Sequence, residues 1–229
     1  MDTIPALPTT PAAPEARQRF DWSRYAAIGF AACYLVATIW SGSTSVDVYS
    51  FDLDEVERHY AGPGSTEVAS WSSFVLLPIA AAFLTWTLAR IRCSLDFTTR
   101  GASMTGTAAV VGGVVLAVAM VTSGLLGYAG EAVAAGNYGP ADPQTGIGLM
   151  LAGGALFVAE GLGAAILAWA VALGARRTRQ LPGWLAWVGI VLAPLLLYSW
   201  LLFVIPTLVF LIWLVVVSMM LKTDPVRTA

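Results

Sequence analysis

The chain has 229 residues, of which 58% are hydrophobic and 11% charged, with a net charge of −2. Soluble domains carry roughly a quarter of their residues as charges, so this chain cannot cover a water-facing surface and lipid must be its main solvent. The basic residues are scattered and not gathered into a patch, which excludes a phosphate-tracking nucleic-acid binder.

Residues 1–24 hold Pro5, Pro8, Pro11 and Pro14, which favour an extended tail in place of a packed element. The first apolar run begins late for a cleaved signal segment. The expectation is a disordered cytoplasmic tail ending in a basic anchor at Arg17, Arg19 and Arg24. The remaining basic residues fall in clusters separated by long apolar runs. Lys and Arg stay on the cytoplasmic side of short loops during insertion. Under one topology eleven of the twelve basic residues face the cytoplasm, Arg58 being the exception. That topology predicts an all-α polytopic membrane bundle of six transmembrane helices with both termini cytoplasmic.

The predicted spans are 25–42, 70–89, 103–128, 147–173, 182–199 and 203–221, followed by a cytoplasmic tail at 222–229. Each matches the roughly 20 residues that cross a hydrocarbon core of about 30 Å. The segment 43–69 is an acidic outer loop, and 52–60 reads as a short helix with Asp54–Arg58 and Glu55–His59 four apart. Glu55 and His59 would supply two metal ligands, which do not make a site. A second outer loop is expected after Tyr128, containing Glu131, Asp142 and Pro143. No charged residue occurs from Leu181 to Leu221. Two spans joined near 198–206 are expected there, with a re-entrant hairpin as the alternative because Pro194 and Pro206 interrupt the run. Trp184, Trp187, Trp200 and Trp213 read as interfacial belt residues.

Glu160 is the charged-type residue within an apolar span, at the middle of the fourth. A carboxyl at bilayer centre costs a few kcal/mol on insertion scales, which makes it a functional hypothesis by default. Gly153, Leu156, Gly163 and Ala164 share its helical face, so that face can approach another helix closely. Either Glu160 is a proton- or ligand-binding group, or it is a protonated structural carboxyl held by a neighbouring hydroxyl. Tyr34, near mid-depth of the first span, is the expected partner by depth. No catalytic constellation is evident, no metal or cofactor site is indicated, and His59 is the one histidine.

Three functional classes follow. The first is a non-catalytic membrane protein acting by association, with itself or with another membrane protein. The second is a small transporter using Glu160, and the third an intramembrane enzyme acting on a lipid or isoprenoid. The first is favoured by short loops and the absence of paired catalytic groups. The stretch Leu181-Pro182-Gly183-Trp184-Leu185-Ala186-Trp187-Val188-Gly189 follows a basic turn. There, and in the exit Leu88-Ala89-Arg90, the chain resembles a large group of small actinobacterial six-span membrane proteins. The resemblance implies six spans and a plasma-membrane location, and it carries over no activity and no catalytic residue.

Overall fold

The computed structural model describes residues 22–44, 66–96, 100–198 and 205–221, together with Asp54, Arg58 and His59. Among the described residues there is no strand, and six helices of fifteen residues or more make up the molecule. The first, α1 (Ala26–Thr44), follows a 3-10 turn at Trp22–Tyr25. Helix α2 is built from Glu67–Trp71, a π-helical stretch Ser72–Leu76, and Leu77–Asp96. Next come α3 (Arg100–Ala134), α4 (Pro143–Thr178), α5 (Gly183–Leu197) and α6 (Ile205–Met220).

Three segments are long and apolar enough to cross a membrane: Glu67–Leu95, Met104–Ala134 and Pro143–Thr178. Between their ends they expose large apolar side chains, among them Trp86, Val118, Val158 and Trp169. Such a surface suits hydrocarbon, where every backbone polar group must be satisfied within the helix. Helices α5 and α6, of 15 and 16 residues, are shorter. At 1.5 Å per residue they span only about 22–24 Å, less than the expected runs 182–199 and 203–221. The joint between them, 199–204, lies outside the described residues, as do the tails 1–21 and 222–229 and most of the expected outer helix. Of that helix, Arg58 Nε donates to the Asp54 carbonyl at 2.9 Å.

Each helix packs on its neighbours in the chain, and α6 returns to α1, so the six form a closed ring. The α3–α4 hairpin is its tightest part. A Cβ placed on Gly163 would lie 2.5 Å from the Leu116 nitrogen, and one on Gly112 would lie 2.6 Å from the Leu167 nitrogen. Backbone therefore meets backbone there, and only glycine admits that approach. Two serines tie the same region, Ser123 Oγ to the Gly153 carbonyl at 2.9 Å and Ser73 Oγ to the Gly124 carbonyl at 2.8 Å.

Local sequence accounts for the irregularities. Pro78 has no N–H to give to Phe74, and its ring crowds that carbonyl; the widened π stretch Ser72–Leu76 lies there. Helix α4 starts on an N-cap, the Thr145 amide donating to Asp142 Oδ1 at 3.1 Å with Pro143 next in the chain. The Thr145 hydroxyl and then its amide hold the Asp142 carboxyl below its ordinary range. The helix ends on Arg179 in the left-handed region, φ 53°.

Two sequence expectations need correction. Glu131 is not in a loop: α3 continues to Ala134, and Glu131 is 6% exposed on it. Trp213 is not a belt residue. It is 2% exposed, and its Nε1 donates to the Leu185 carbonyl at 3.0 Å. The physical reason is Gly189, where a Cβ would lie 2.5 Å from the Trp213 ring; the missing side chain makes room for the indole between α5 and α6. Trp184 and Trp187 are exposed.

Candidate functional site

Glu160 is the eighteenth of the 36 residues of α4 and is 5% exposed. Gly153, Gly163 and Ala164 on its face are also buried, while Trp169 points outward. The opposite wall comes from α1. Tyr34 is buried beside Phe30 with ring centroids 5.9 Å apart. Its Oη donates to Glu160 Oε2 at 3.1 Å. Helix α1 packs on α2 and α6, and α4 packs on α3 and α5. The phenol thus reaches across the ring interior to join two helices that otherwise meet little.

A small cavity of about 20 Å³ adjoins the pair. Phe30, Phe157 and Phe210 wall it, with Leu116, Leu196 and Leu211, and Thr207 adds a hydroxyl. A single water needs roughly 10–15 Å³ on this measure, so the space suits about one water molecule and no organic substrate. Ser123 is the next hydroxyl towards Glu160, but it is directed to the Gly153 carbonyl. The structure therefore brings together the two residues singled out from sequence. What it assembles around them is chiefly aromatic and aliphatic, with no second acid and no cation among the described residues that line the space.

No protein-family model, curated protein or solved structure matches the chain. One acid, one phenol and one secondary hydroxyl provide hydrogen bonding and one exchangeable carboxyl proton. They do not supply the nucleophile, base and electrophilic stabiliser that covalent catalysis requires. Among the described residues no three His, Cys, Asp or Glu side chains gather as a metal site.

A second polar cluster, which sequence reasoning missed, lies at one end of the ring. Arg90 is 4% exposed. Its Nη1 donates to Ser23 Oγ at 2.6 Å and its Nη2 to the Leu221 carbonyl at 2.9 Å. A guanidinium at the carboxyl end of α6 meets the negative end of the helix dipole, and the forked donors suit two acceptors at once. Ser218 Oγ donates to the Arg24 carbonyl at 3.4 Å, so the three bonds together hold the seam where α6 meets the start of α1. Sequence presented Arg90 only as a topology marker. The one signal available was its position two residues inside Arg92, at the edge of an apolar run.

Proposed function

We propose that this chain is an integral protein of the plasma membrane that crosses the bilayer six times with both ends cytoplasmic. In this reading it acts by association with itself or with another membrane protein, without turning over a substrate. The observation that carries the reading is the Glu160 site. A mid-helix carboxyl tied to Tyr34, beside room for about one water, behaves as an internal strut that fixes helix arrangement. The three long apolar helices support membrane embedding. The likeness of 181–189 to the actinobacterial six-span group supports the span count and the location. The acidic segment 43–69, as the longest polar stretch, is the favoured extracytoplasmic contact.

The test is crosslinking in the native membrane followed by isolation in mild detergent. The expected outcome is recovery of a homo-oligomer or of one distinct membrane protein in fixed ratio. Recovery of the monomer alone, at every crosslinker length, overturns the reading. A second reading has its own support: Tyr34–Glu160 joins helices with few other contacts, so loss or gain of one proton would be felt across the ring. If Glu160→Gln abolished a cellular phenotype at unchanged protein level, a proton- or ligand-binding role would replace the strut.

A further inference from the structure

The turn between α4 and α5 carries Arg176, Arg177 and Arg179 within four residues. All three are exposed. No Asp or Glu occurs between Glu160 and Asp224, and among the described residues none of the three arginines has an ion-pair partner. The turn that carries them is also held in place. Arg179 caps α4 in the left-handed region, and Gln180 Nε2 donates to the buried Ser94 carbonyl at 2.6 Å, pinning the turn to α2. The Arg176 guanidinium lies 4.7 Å from the centroid of the Trp187 ring. Trp184 and Trp187 stand exposed beside it.

Depth assigns the surroundings. Arg176 is sixteen residues beyond Glu160 on one continuous helix, about 24 Å along the axis at 1.5 Å per residue. On a helix with the usual tilt of about 20°, that puts it about 22–23 Å from a midplane at Glu160, at the outer edge of the headgroup layer, which lies about 20–22 Å from the centre. Exposed indoles belong at the same level. One guanidinium held against an indole, with two more exposed beside it on a pinned turn at headgroup depth, matches the phosphate of an anionic lipid, with bidentate hydrogen bonds from the planar forks. A diffuse basic fringe needs neither the stacked Arg176 nor the pinned turn.

We propose that the turn from Arg176 to Trp187 is a binding site for the headgroup of an anionic phospholipid. The inference rests on α4 crossing the bilayer, and not on what the protein associates with.

The test uses the purified full-length chain in bilayer nanodiscs, with retained lipid counted by intact-complex mass spectrometry. Phosphatidylglycerol is set against phosphatidylcholine. Preferential retention of phosphatidylglycerol is expected, reduced about fivefold by Arg177→Gln, since each basic residue near the surface contributes roughly that factor. Arg176→Lys keeps the charge that sets topology but loses the planar stack on Trp187, and it too should weaken retention severalfold. Arg92→Gln, at an exposed arginine on α2, should leave retention unchanged. Equal retention of the two lipids overturns the proposal. So does an equal loss with Arg92→Gln, which would mean diffuse charge, or displacement by inorganic phosphate, which would mean a free-anion site. A chain that cannot be recovered in the bilayer disc at all would defeat the membrane-crossing reading and this inference with it.

Discussion

Replacing Glu160 by Gln keeps an acceptor for the Tyr34 hydroxyl and a similar shape, so Glu160→Gln should fold and keep its thermal midpoint. Glu160→Leu leaves the buried phenol without its partner and should cost about 1–3 kcal/mol, read as a lower midpoint in detergent. Tyr34→Phe combined with Glu160→Leu removes both polar groups and should recover part of that loss. If both single variants melt like the parent chain, the carboxyl reaches water or headgroups and the strut is wrong. The same rule explains Trp213. An indole N–H far from water needs an acceptor, and the Leu185 carbonyl supplies it.

At the scale of elements the α3–α4 hairpin carries the sharpest expectation. Gly163→Ala adds one methyl where the Leu116 nitrogen and the Gly112 carbonyl stand 2.5 and 2.8 Å from its ideal position. The helices must separate, and overpacking of this kind costs about 1–3 kcal/mol. Gly148 on the same helix is exposed and has nothing near its ideal Cβ. Gly148→Ala should therefore be neutral or stabilise by up to about 1 kcal/mol through helix propensity. Matched melting curves of the two variants decide it, and equal midpoints would contradict the close crossing. A lone hydropathy profile treats these two glycines alike; only their neighbours distinguish them.

For the whole molecule, topology is the property to measure. In a Cys33→Ser background, Cys93, which is exposed, should react with a membrane-impermeant thiol reagent only from the cytoplasmic face. With Cys93 also replaced by serine, Gly139→Cys, in the exposed turn after α3, should react only from outside. Labelling of both positions from one face would rule out the proposed crossing pattern. The ring also has an energetic seam. Helix α6 is joined to α1 through Arg90, Ser23, Ser218 and main-chain carbonyls, contacts set by fold closure and not by any local pattern.

Helical character and membrane-length apolar segments were legible in the chain because both are one-dimensional. Residue type and run length decide them, and lipid permits few alternatives for the backbone. Glu160 stood out for the same reason, as an acid in the middle of an apolar run. Tyr34 could be paired with it by depth alone, because each residue's height follows from its distance to the span ends. What depth cannot give is direction around a helix axis or the identity of neighbouring helices. That α1 faces α4 across the ring, that Arg90 is buried at the seam, and that Trp213 turns inward onto Gly189 all depend on which helices lie side by side. Those facts were decided by packing between residues as far apart in sequence as Arg90 and Leu221. The same packing closed the space beside Glu160 to about one water; no property of the residues taken singly sets that volume.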